Sequence, residues 1–100
     1  MMSDTIRHIA NEFGVTVEDM VSNNRKSPIP LARHVAGYFL RTHENHTNEQ
    51  IALAFGGKNQ SSVQYGVERV KKMMESNPVF KRRINRLFDE LYDLNDDDKA

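Results

Sequence analysis

The chain contains no cysteine, which removes disulfide frameworks and thiolate metal sites from consideration. Long apolar runs are missing as well, and nothing approaches the roughly 18 residues of a membrane span. No secretory hydrophobic segment follows Met1, so the protein reads as cytoplasmic. The sequons at Asn45 and Asn59 then carry little weight. Internal repeats and long linkers are absent from the 100 residues, so one small domain with one core is expected. Strand signals are nearly absent too.

An excess charge of one sign is also lacking, since the formal net charge is zero. The distribution is uneven. Residues 93–100 hold four Asp and one Lys, and the rest of the chain carries 13 basic against 10 acidic residues. Residues 23–72 hold eight Lys/Arg against three Glu. A basic middle with an acidic end is either a polarised nucleic-acid-binding surface or ordinary charge scatter. Charge alone does not separate the two.

Helix signals are dense. Ile6, Ile9, Ala10 and Phe13 fall at helical spacing, with Ser3 or Asp4 as cap and Gly14 as stop. Thr16 and Asp19 make a capping box for a short second helix; a strand at residues 15–17 would have no partner. A polar loop with two prolines follows, and Pro30 suits the first turn of a third helix carrying Val35, Ala36, Tyr38, Phe39 and Leu40. Gly37 within it predicts a close helix crossing. Thr47 with Gln50 caps a fourth helix whose Ile51, Ala52, Leu53, Ala54 and Phe55 read as mostly buried. Gly56 ends it. A fifth helix begins near Asn59 with Val63, Val67, Val70 and Met74 as its stripe, and Asn77-Pro78 opens a last helix. The expected class is all-α, about six helices, with residues 1–92 as one domain and 93–100 as a disordered acidic tail.

The most informative run is Phe55-Gly56-Gly57-Lys58-Asn59-Gln60-Ser61. A glycine turn joins two helices, and the second opens on small polar residues and free backbone N–H groups. That pattern suits a helix-turn-helix recognition helix, whose Gln and Ser side chains can read base edges or hold phosphate. An ordinary helical corner fits the spacing equally well. Arg25 and Lys26 stand on the stiff loop, where they can cross phosphates or enter a narrow minor groove, although an ordinary solvated loop fits these residues better when they are taken alone.

Other chemistries fail on the residues. A phosphate-binding loop needs a glycine where Ala52 stands and Ser/Thr where Asn59 stands, after a strand rather than a helix. His43 and His46 lack a third fixed ligand, so no metal is expected. Ser61 and Ser62 have no histidine at motif spacing, and no enzyme activity or cofactor is read here.

The residues resemble the C-terminal DNA-binding domain of the bacterial replication initiator DnaA family. The family signature is Phe-Gly-Gly followed by Arg-Asp-His-Thr-Thr-Val; here it is Phe55-Gly56-Gly57-Lys58-Asn59-Gln60-Ser61-Ser62-Val63. The likeness runs upstream through Arg33-His34-Val35-Ala36 and the Arg25 loop to Ile6, covering roughly residues 5 to 92. It implies an all-α fold binding double-stranded DNA. Position by position, it implies that Arg25 enters the minor groove beside Lys26. Arg33 and His34 form a basic and polar pair, Arg41 contacts the backbone, and Asn48 lies near phosphate. Asn59, Gln60, Ser61, Ser62 and Tyr65 occupy the positions that read bases or touch phosphate in the major groove. For this chain, Arg33, Arg41 and Lys58 are expected to hold phosphates. Lys58, Asn59 and Gln60 stand where the family has Arg, Asp and His. Ser61 and Ser62 replace two Thr, and Tyr65 replaces a His.

The expected function is sequence-preferring duplex DNA binding with a role in replication control or regulation, and no membrane or nucleotide partner. The alternative is a module that keeps the fold and binds a protein instead. With no nucleotide-binding segment in it, the chain is either a stand-alone relative or a fragment; the Met1-Met2 start and the acidic end point towards a complete short protein without deciding between the two.

Overall fold

The computed structural model describes residues 2–92. The tail expected at 93–100 lies outside them. Six helices follow in order: α1 (Met2–Phe13), α2 (Val17–Val21), α3 (Ile29–Thr42), α4 (Asn48–Ala54), α5 (Gln60–Ser76) and α6 (Pro78–Tyr92). No strand occurs among the described residues, and none of their helices is long and apolar enough to cross a membrane.

Local chemistry sets most boundaries. Ser3 and Asp4, expected as the cap of α1, lie inside its first turn, where Asp4 still places an anion at the N-terminus. Gly14 ends that helix at φ 69°. Thr16 and Asp19 form the expected capping box on α2, as do Thr47 and Gln50 on α4. Asn77 Oδ1 accepts from the Phe80 N–H at 3.0 Å and starts α6.

α3 is the central helix, packed against α1, α2, α4 and α5. Its Val35, Ala36, Phe39 and Leu40 are fully enclosed, with Ile9, Met20, Ile51, Val70, Ile84 and Leu87 around them. α6 leans on α5, and its Arg83 and Arg86 reach Glu12 of α1 at 2.9 and 2.8 Å. Leu53 departs from expectation: it is 69% exposed, whereas Ala52 is buried. A seven-residue helix presents only about two turns, and its inward face is set by Ile51, Ala52 and the Phe55 that follows.

Candidate nucleic-acid interface

α4 and α5 form the helix-turn-helix. Phe55 closes α4 at its buried end, and Gly56 and Gly57 then turn the chain at φ 83° and 84°. Both values belong to the left-handed region that favours glycine. Gly56 has a second constraint, because a Cβ there would overlap the carbonyl oxygen of Val21. Asn59 caps α5 with Oδ1 accepting the Ser61 N–H at 2.8 Å. That leaves its side-chain amide nitrogen for an outside partner.

The face of α5 is divided by helical periodicity. Val63, Gly66, Val67 and Val70 are buried. Gln60, Ser61, Ser62, Gln64 and Tyr65 are exposed on the other side, as is Arg69 one turn beyond Tyr65. Arg69 was not singled out in the sequence; its i+4 spacing from Tyr65 was the available signal.

A groove of about 660 Å³ separates the start of α5 from the Arg25 loop. Arg25, Arg33, His34, Lys58, Ser62 and Tyr65 line it. Six of the sequence-predicted residues therefore line one groove, but they are not equivalent there. Arg25 and Lys26 are exposed on the loop. The loop is braced by its own short polar side chains: Asn24 Oδ1 accepts from the Lys26 N–H at 2.9 Å, and Ser22 Oγ from the Asn24 N–H at 3.1 Å.

The charges of Arg33 and Lys58, expected at phosphate, are both engaged by backbone carbonyls within the protein. Arg33 Nε donates to Met20 O at 2.8 Å, and Nη2 donates to Ser22 O and Asn24 O, both at 2.7 Å, and to Asp19 O at 3.2 Å. Lys58 Nζ donates to Phe55 O at 2.7 Å and Val21 O at 3.1 Å. The cause is the short α2, whose last carbonyls have no partner within the helix. The two cations supply those partners. Burial, and after it the neighbouring Arg25, pulls the Arg33 guanidinium below its usual range. Burial, with Arg33 second, does the same to the Lys58 ammonium.

Arg41 and Asn48 lie outside the groove, beside the first half of α5, in a chain of side chains. Arg41 Nε donates to Asn48 Oδ1 at 3.2 Å, Asn48 Nδ2 to Gln64 Oε1 at 2.9 Å, and Gln64 Nε2 to Glu68 Oε2 at 2.8 Å. Arg can only donate and an ionised Glu can only accept, so both amide orientations follow from the ends. His34 is half-buried, and burial first, then Arg33 and Arg69, holds its imidazole below the usual histidine range. No group of three or more His, Cys, Asp or Glu among the described residues is arranged to hold a metal.

The bacterial DnaA protein helix-turn-helix family model matches residues 2–70, which include the glycine turn, α5 through Val70 and the Arg25 loop. The chain belongs to the bacterial DnaA helix-turn-helix family. The chromosomal replication initiator protein DnaA of Oenococcus oeni is 31% identical over 86% of this chain and 19% of its own length. Those of Trichormus variabilis and Mesoplasma florum are each 31% identical over 83% of this chain, covering 18% and 19% of their lengths. The chain thus spans about a fifth of the DnaA relatives it matches. The DnaA helix-turn-helix is a DNA-binding unit, and α4, the glycine turn and α5 are that unit here.

Proposed function

We propose that this DnaA-type domain binds double-stranded DNA with sequence preference and serves replication control or regulation. The observation that carries this reading is the groove between α5 and the Arg25 loop, with cationic and polar side chains on both walls. α5 enters the major groove, presenting Asn59, Gln60, Ser61, Ser62 and Tyr65 to base edges and the nearest phosphates. Arg25, with Lys26 beside it, reaches the adjacent minor groove, and the phosphate ridge between the grooves lies in the cleft. Arg41, Asn48 and Arg69 contact phosphates at the flanks. Arg33 and Lys58 act mainly by holding the loop and the turn at the right separation. No catalytic step is assigned to any residue.

The test is selection of bound sequences from random duplexes, followed by affinity measurements at several salt concentrations. Arg25→Ala should weaken binding and reduce the salt slope by about 1, the signature of one lost phosphate-region contact. Affinity for duplex DNA that does not change with salt, or none at low salt, refutes the reading. A protein that ignores DNA and responds to a protein partner, read by backbone NMR shifts, is the alternative outcome.

A further inference from the structure

His34, Tyr65 and Gly66 meet on one wall of the groove. The imidazole of His34 lies directly on α5 where Gly66 has no side chain. A Cβ at residue 66 would stand 3.0 Å from Cγ and 3.2 Å from Cε1 of His34, and nearer still to Nδ1. Gly66 has ordinary helical geometry, so backbone freedom is not what requires glycine there. Glycine within a helix costs stability relative to alanine. What the position gains is a notch that seats the ring.

The seated ring meets Tyr65 edge to face, with centroids 5.8 Å apart and planes at 74°. This is a favourable aromatic geometry. Tyr65 is nevertheless 61% exposed, so one side of its ring is braced while the rest projects beside Ser61 and Arg69. No hydrogen bond among the described residues engages the His34 ring, and none of their buried side-chain nitrogens lacks a partner. The ring nitrogens therefore keep an opening to the groove.

The outward side chains at the start of α5 are Gln60, Ser61, Ser62, Gln64 and Tyr65. Four of them are small or polar, and Tyr65 alone brings a large apolar surface. The apolar feature in the major groove is the 5-methyl group of thymine. We propose that His34, seated in the notch at Gly66, is a positioning residue that holds Tyr65 for contact with a thymine methyl. This rests on the reading that α5 enters the major groove.

The experiment uses the 100-residue protein and the duplex site it selects. Each thymine is replaced in turn by deoxyuridine, which removes only the methyl. At one position binding should weaken about fourfold, the equivalent of one buried methyl group. Tyr65→Phe should keep that sensitivity and Tyr65→Ala should abolish it. His34→Ala should reduce it while leaving the salt slope unchanged, which a loss of folded protein would not do. As a single variant, Gly66→Ala should lower the unfolding midpoint and reduce the methyl sensitivity, and it should lower the midpoint less in the His34→Ala background, where room has been made. A selected site without thymine, methyl sensitivity at no position, or sensitivity that survives Tyr65→Ala overturns the proposal while DNA binding stands. Failure to select any duplex refutes the DNA reading itself.

Discussion

Replacing Arg33 with Ala separates a structural cation from a DNA-contacting one. The side chain donates four hydrogen bonds to the carbonyls of Asp19, Met20, Ser22 and Asn24. The Asn24 bond is exposed and the Asp19 bond is long at 3.2 Å, so neither contributes much. The Met20 and Ser22 bonds are short and part-buried, at 2.8 and 2.7 Å. A bond from a charged donor is worth ~1.5–3 kcal/mol when shielded, and the half-exposed setting discounts each to about 1. The expected loss is therefore about 2 kcal/mol, or roughly 10 °C in midpoint for a domain of this size. Arg25→Ala, on an exposed residue without such bonds, should leave stability unchanged. In DNA binding the two should be non-additive, because Arg33 is proposed to work by presenting the loop that carries Arg25. Urea unfolding of the three variants, with a double-mutant cycle in fluorescence anisotropy, makes the comparison. An Arg33→Ala protein as stable as the parent, whose binding loss adds fully to that of Arg25→Ala, refutes the reasoning and makes Arg33 a direct contact.

The two turn glycines should behave differently. Gly57→Ala meets open space and carries only left-handed strain, about 1 kcal/mol; Gly56→Ala adds overlap with the Val21 carbonyl and should cost at least twice as much by urea unfolding. Equal losses would show that the carbonyl yields. Lys58→Met keeps the apolar stem and loses the bonds to Phe55 O and Val21 O, with an expected loss of about 1 kcal/mol; a variant of parental stability would free Lys58 for DNA. Burial holds both His34 and His43 below the ordinary histidine value of 6.5 in the folded protein. The unfolded chain therefore takes up protons first, and stability falls as pH drops below about 6.5. The double variant His34→Gln/His43→Gln should flatten that limb of the stability profile, and an unchanged slope between pH 7 and 5 would count against the assignment.

The parts of the fold that could be read from the sequence are those whose partners are close along the chain. Both capping boxes join residues three apart, and the glycine stops act on their own helices. The aromatic and aliphatic spacing of α3 is long enough to define its inward face. α4 is not, which is why Leu53 looked buried. The backbone partners of Arg33 and Lys58 were not legible for a different reason: the acceptor carbonyls lie as many as 37 residues away, and nothing in a basic side chain marks it as a partner for backbone. Glycine was also ambiguous. Gly37 looked like the close crossing, yet a Cβ there would meet Ile51 Cγ2 at an ordinary 4.0 Å. The tight approach is at Gly66, where the neighbour is a ring from another helix.

These non-local contacts converge on the C-terminal end of α2. The Val21 carbonyl receives Lys58 Nζ and lies against Gly56, and the carbonyls on either side of it receive Arg33. The helix-turn-helix turn, the start of α3 and the Arg25 loop are thus tied to one short row of carbonyls. Arg25 and the start of α5 are the two parts of the surface proposed to enter adjacent grooves. Fixing both to the same row sets their separation before DNA arrives, so the entropy of ordering the loop is not lost on binding. This gives a physical reason for a Phe-Gly-Gly-Lys turn in which neither glycine nor the lysine need touch DNA. Gly56 allows the approach to α2, Lys58 locks it, and the residues that follow are left free to face outward.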